Sequence, residues 1–333
     1  MLLWARRDLL ASGCGAALLP SRGPAAAATT APVPPGWRAA WPRTDFARAR
    51  VSLDEIRDGG PPKDGIPAID APRFRPAGEE VGADPREPLI GLELAGRVRG
   101  YPLRILIWHE IVNDTLAGIP VAVTYCPLCN TAIVFDRRLE GRVLDFGTTG
   151  KLRRSDLVMY DRQTESWWQQ YTGEAIVGEL AGARLAMLPA RLESRAELLA
   201  RAPDAELLVP SDPTARPYGS NPYVGYDGAR FPFLYDGPLP EGVAPMTRVV
   251  VVGGQAWMLE LLASRGRIET GDLVLSWRPG QLSALDAARI EDSREVGSVR
   301  VQRRTAAGLE DVVHHVTFAF VLHAFEPEAV LHR

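Results

Sequence analysis

Three things are scarce in this chain, and each scarcity excludes something. Cysteine occurs three times in 333 residues, too few for a disulfide framework, which a chain of this length does not need. Histidine occurs five times, as His109, His314, His315, His323 and His332, so an all-imidazole metal site has little to draw on. Long basic runs are missing and the net charge is −3, which argues against a surface that tracks nucleic-acid phosphates; no nucleic-acid partner is expected. Apolar runs also stay short of the ~20 residues needed to cross a bilayer as a helix, so no stable membrane span is expected once a leader is removed.

What is present is ordinary globular material rich in turns. Hydrophobic residues make up 46% and charged residues 24%, enough to fill a core. Gly 31 and Pro 28 point to short strands and many turns rather than a helix bundle. At the N-terminus, Arg6-Arg7 precede the apolar stretch Leu9 to Leu19, then Pro20 and the alanine run Ala25 to Ala28. A basic region, a short apolar region and a small-residue cleavage zone form an export signal, and the paired arginines indicate the twin-arginine route. The expected organisation is therefore a signal peptide over 1–28, a Pro/Ala-rich linker over 29–45 and one domain over 46–333, located in the periplasm or outside the cell. Cleavage after Ala28 would remove Cys14 and leave two cysteines, Cys126 and Cys129.

The pattern beyond the linker predicts an α+β chain that is β-rich, with mixed or antiparallel sheets. Leu89 to Leu94 and Arg97 to Pro102 flank Ala95-Gly96 as a hairpin. Leu103 to Leu116 reads as an amphipathic helix, with Leu103, Ile107, Ile111 and Val112 on one face. Strands follow at 120–125, 132–137, 142–147, 156–161, 166–171 and 174–178. The chain also resembles itself. LIGLELAGRVRGYPLRIL from Leu89 matches VVVVGGQAWMLELLA from Val249, and VAVTYCPLCNTAIVFDRR from Val121 matches LVLSWRPGQLSALDAARI from Leu273. Two pseudo-repeated lobes, about 86–190 and 245–330, are the expectation. In that register Cys126 and Cys129 meet Arg278 and Gln281, so the turn does not require thiols and the first copy carries them for chemistry.

Cys126-Pro127-Leu128-Cys129 is followed by Asn130-Thr131-Ala132-Ile133-Val134, a turn and then a strand. A thioredoxin-like pair instead opens a helix, whose dipole lowers the pKa of the attacking thiol. A Cys-x-x-Cys at the tip of a hairpin aims two sulfurs at one ion and needs further ligands. His109, in Trp108-His109-Glu110, is the expected third ligand, and two sulfurs with one imidazole suit copper or zinc. Glu110 and Asp114 are expected to be solvated or capping, and His323 to be a satisfied core residue. Lys151, Arg153 and Arg154 read as a solvated basic turn, Trp167 as core, and Trp168 with Gln169 as lining near the thiols. Gly147-Thr148-Thr149-Gly150-Lys151 does not have P-loop spacing.

PPKDGIPAID, YPLRILIWHEIVND, VAVTYCPLCNTA, SDLVMYDRQTESWWQQ with GEAIVG, and RPYGSNPYVGYD together resemble the bacterial family called domain of unknown function 3179, over roughly residues 52 to 330. The resemblance implies an exported bacterial protein, and places the shared Cys-Pro-Leu-Cys and His-Glu-Ile-Val-Asn-Asp blocks at Cys126 to Cys129 and His109 to Asp114. It implies no activity. Three readings stay open: a soft-metal site built from Cys126, Cys129 and His109; a thiol-disulfide oxidoreductase in which Cys126 attacks and Cys129 resolves; and a structural or ligand-binding module with a local disulfide.

Overall fold

The computed structural model describes residues 31–79 and 83–333; the expected signal peptide, with Arg6, Arg7 and Cys14, lies outside them. About 40% of the chain is strand and 15% helix, in small, mostly antiparallel sheets arranged as a five-bladed propeller. The α+β expectation gives way to this architecture because the helices are short. Leu103–His109, Arg195–Arg201, Leu259–Arg265 and Ala319–Phe325 are seven residues each and link strands.

Two blades build the site. One holds Ile111–Leu116, Ile119–Cys126, Thr131–Asp136 and Met187–Leu188. The other holds Ile56–Asp58, Phe146–Arg153, Asp156–Asp161, Trp167–Gln169 and Glu174–Val177, all antiparallel. Every residue of Asp156–Asp161 is buried, which is why that strand reads as a continuous apolar run between two aspartates instead of an alternation. The third blade carries Ala190–Ser194, Pro88–Leu94, Arg97–Pro102, Glu206–Val209 and Arg73–Pro76, the fourth His315–Phe318, Arg248–Val252, Gln255–Met258 and Val330–His332, and the fifth Arg267–Thr270, Leu273–Arg278, Ser298–Thr305 and Gly308–Asp311. The third and fourth each contain one parallel pair.

The predicted helix over 103–116 is half right. It ends at His109, Glu110 turns the chain with φ +58, and Ile111–Leu116 becomes a strand paired with Ile119–Cys126. The apolar spacing that fitted a helix came from a helix and a fully buried strand placed in series. The two self-similar stretches do fold alike locally, each as a hairpin entering a seven-residue helix: Pro88–Leu94 and Arg97–Pro102 before Leu103–His109, and Arg248–Val252 and Gln255–Met258 before Leu259–Arg265. Both units sit in one ring of blades. Trp37 and Trp41, inside the stretch expected as a linker, are buried with Phe46 against Trp167, at ring separations of 4.9 to 5.4 Å. Burial of that much aromatic surface fastens the start of the described chain to the second blade.

Candidate metal centre

Cys126 closes the strand Ile119–Cys126, and the next strand begins at Thr131. The turn between them is tight: the Cys129 amide donates to the Cys126 carbonyl at 3.3 Å, and Asn130 takes a left-handed φ of +54. No helix follows, as the sequence predicted. The turn is held from outside as well. Tyr226 donates its hydroxyl to the Leu128 carbonyl at 3.0 Å, and Thr317 donates to the Cys129 carbonyl at 2.8 Å. Both thiols are free and buried, Cys126 at 2% and Cys129 at 0% exposure.

A second hairpin closes over them. Arg154 and Ser155 both have positive φ, +55 and +63, the geometry of a two-residue type I′ turn carried without glycine. That left-handed pair stores backbone strain, and it aims the Ser155 carbonyl at the sulfurs, 3.4 Å from Cys129 Sγ and 3.8 Å from Cys126 Sγ. The next residue is Asp156, which is fully buried. Its Oδ1 accepts from Gln169 Nε2 at 2.6 Å and from the Tyr171 amide at 2.9 Å, whereas Oδ2 has no nitrogen or oxygen donor. Ligand atoms of Cys126, Cys129 and Asp156 all lie within 4.8 Å of one another, the group among the described residues able to hold a metal ion. Around one tetrahedral zinc, a sulfur and an oxygen stand about 3.5 Å apart, given the usual bond lengths. The Ser155 oxygen is close to that spacing from both sulfurs, and the Asp156 carboxyl lies within 4.8 Å of them.

The electrostatics describe the same group. Burial pushes the Asp156 carboxyl up to about 6, partly offset by its bonds from Gln169 and Tyr171. Burial raises the Cys126 thiol, and burial with the neighbouring sulfur raises Cys129 well above the ordinary thiol value. Glu110 is also buried and is pushed up to about 8, first by burial and then by the Asp156 charge. Four acids therefore crowd one dry region and each resists ionisation. A divalent cation among them would reverse that resistance, since metal binding takes its ligands in the deprotonated form.

His109 does not join this group. Its Nδ1 lies 2.7 Å from the Pro67 carbonyl and its Nε2 2.8 Å from the Tyr218 hydroxyl, so both ring nitrogens are engaged elsewhere and the third donor beside the sulfurs is Asp156. Glu110 and Asp114 are buried instead of solvated, Asp114 against Arg99 and Tyr101. The expected solvated basic turn is likewise paired: Lys151 with Asp58, and Arg153 with Glu55. Gln169 does stand near the thiols, through Asp156, and Trp167 is core. Asp156 itself was missed. Its signal was an aspartate opening an otherwise apolar buried strand, DLVMYD.

A family model described as Protein of unknown function (DUF3179) matches residues 63–329. No curated protein and no solved structure matches the chain.

Proposed function

Because the chain belongs to the DUF3179 family, whose description assigns no chemistry, we propose a function from the site alone: a buried metal centre held by Cys126, Cys129 and Asp156, with the Ser155 carbonyl as a fourth donor. One observation carries this reading. Two free thiols and a carboxylate share one dry pocket within 4.8 Å, and a carboxylate oxygen there lacks an ordinary donor. A set of two sulfurs and two oxygens is harder than the sulfur-imidazole set first expected, and it favours zinc over copper(I). Gln169 and the Tyr171 amide orient the carboxylate, as outer partners of metal ligands do. The twin-arginine signal belongs to the proposal, because a protein exported folded carries a buried metal acquired before export. Lysine in place of Arg6 and Arg7 should hold the chain in the cytoplasm, read by cell fractionation.

A second reading is favoured by the same carboxylate. Asp156 lies within 4.8 Å of both sulfurs: Cys126 attacks a disulfide substrate and its proton goes to the first substrate sulfur released, then Cys129 gives its proton to Asp156 and displaces the second substrate sulfur, which takes that proton as the Cys126–Cys129 bridge forms. The raised thiols and the missing helix count against it. Metal content by mass spectrometry, beside a thiol count, separates the two. About one zinc per chain, lost in a Cys126→Ala, Cys129→Ala double variant, supports the metal centre. Metal-free protein whose two thiols exchange reversibly with glutathione disulfide moves the conclusion to dithiol chemistry.

A further inference from the structure

His109 was the expected metal ligand, and what it does instead points to a separate site. It ends the helix Leu103–His109. Its Nδ1 faces the Pro67 carbonyl at 2.7 Å. A carbonyl only accepts, so Nδ1 carries the ring hydrogen and Nε2 carries the lone pair. The Tyr218 hydroxyl, 2.8 Å from Nε2, is then the donor. A hydroxyl backed by a base that is itself oriented by a third group is the arrangement that activates oxygen nucleophiles. Burial lowers the His109 pKa, with the Pro67 bond opposing and the Arg216 charge adding to the fall, in keeping with the neutral acceptor ring that the two hydrogen bonds describe. Burial raises the Tyr218 phenol, so the resting group is the hydroxyl.

With its proton committed to His109, Tyr218 can turn its oxygen lone pairs to a cavity of about 460 Å³ lined by Tyr218, Gly219, Ser220, Leu282, Ile290 and Arg104. The segment is fixed: Trp108 Nε1 donates to the Ser220 carbonyl at 3.2 Å, and the Ile290 amide to the Gly219 carbonyl at 3.0 Å. Charged side chains of the wall are paired within the protein, Arg104 with Glu87, Arg289 with Glu291, and Asp84 with Arg86. A wall balanced in this way offers no net charge to a ligand and suits an uncharged one.

We propose that Tyr218 and His109 form a phenol-imidazole proton relay for a small uncharged molecule bearing a hydroxyl, bound in this cavity. The hydroxyl proton moves to Tyr218 Oη as the Tyr218 proton moves to His109 Nε2, and the imidazolium so formed is held through Nδ1 by Pro67. The relay is independent of the thiol site and of any metal there.

Phenylmethanesulfonyl fluoride tests the relay without a known substrate. In its reaction the Tyr218 Oη–S bond forms, the S–F bond breaks, fluoride leaves, and the phenol proton passes to His109. Tyr235 is an internal control: it is half-buried too, but its hydroxyl donates to the Pro238 carbonyl and has no base. Adducts mapped by peptide mass spectrometry should show Tyr218 modified at least about tenfold faster than Tyr235, a modest share of what a positioned base contributes. His109→Gln should erase that lead, and Tyr218→Phe should remove the adduct. Equal rates at the two tyrosines in the unmodified protein would overturn the relay, and so would a lead that survives His109→Gln. If His109→Gln does not fold, the ratio in the unmodified protein decides alone.

Discussion

Two turns of this chain start from similar sequence and end in different surroundings. VAVTYCPLCN leaves its strand at Cys126 and re-enters the sheet at Thr131, with both cysteines buried. LVLSWRPGQL leaves its strand at Arg278, which is exposed, and the chain rejoins the sheet only at Ser298. The flanking strands are antiparallel in both cases. The strand framework is therefore not what makes the site. The Arg154-Ser155 hairpin closes over the first turn and delivers a carbonyl and a carboxylate to it, whereas the second turn exposes Arg278 and Pro279 and returns to the interior only at Gln281, with no thiol in it. Chemistry here depends on what the ring of blades places across from a turn.

Perturbations of the thiol site should therefore act on the first turn and spare the second. The largest effect concerns Glu110 in metal-free protein. Its pKa in the fold, about 8, is above the ordinary glutamate value of 4.5, so the folded state holds a proton where the unfolded chain has released it. Its contribution to stability is then fully present below about pH 4.5 and is lost as pH rises through about 8, by up to about 5 kcal/mol, against the opposite trend of the ion-paired carboxylates at acid pH. Glu110→Gln should flatten that slope in urea titrations across the pH range, and Gln281→Ala should leave it intact. An unchanged slope in Glu110→Gln would mean that the buried acids do not form one group. Next is the metal itself. Zinc at about a thousand times its Kd should add about 4 kcal/mol, seen by calorimetry as a fall in melting temperature on chelation. Cys126→Ala with Cys129→Ala should abolish that fall, and Arg278→Ala with Gln281→Ala should not. A third, smaller effect lies one bond farther out: Gln169→Ala frees the Asp156 carboxylate and should weaken zinc binding about tenfold in competition with a chelator.

The comparison also shows what the sequence could and could not convey. Hairpins at Pro88–Leu94 with Arg97–Pro102 and at Ile119–Cys126 with Thr131–Asp136 were legible, because alternation and turn residues are local. So was the strand after Cys129, which set the pair apart from a helix-opening dithiol. The family was legible from motifs spread over the whole chain. Asp156 was not, because its distance from Cys126 is a property of two blades meeting, and no local pattern records that. His109 was misplaced for the opposite reason. It is near the cysteines in sequence order, yet it ends a helix whose last turn faces Pro67 and Tyr218. The ring of blades was hidden too, since strands from distant parts of the chain, such as Ile56–Asp58 and Phe146–Arg153, share sheets.

The smallest effect is the sharpest test of the comparison, because it changes one hydroxyl. Tyr226→Phe keeps the ring against Phe318, at 6.0 Å between centroids, and deletes the hydroxyl's bond to the Leu128 carbonyl together with its contact to the Phe233 backbone. A hydrogen bond of this kind contributes about 1 kcal/mol net. The turn it holds contains the Cys129 amide, bonded to Cys126 at 3.3 Å, so opening of that amide should become about fivefold more frequent in hydrogen exchange. The Val296 amide, bonded to the Gln281 carbonyl at 2.8 Å beside the other turn, should exchange as before. If both amides accelerate together, the substitution has loosened the whole ring and the two turns are one cooperative unit. If only Cys129 responds, the thiol turn is held by its own overlying contacts, and access to the sulfurs is governed by the segment that carries Tyr226.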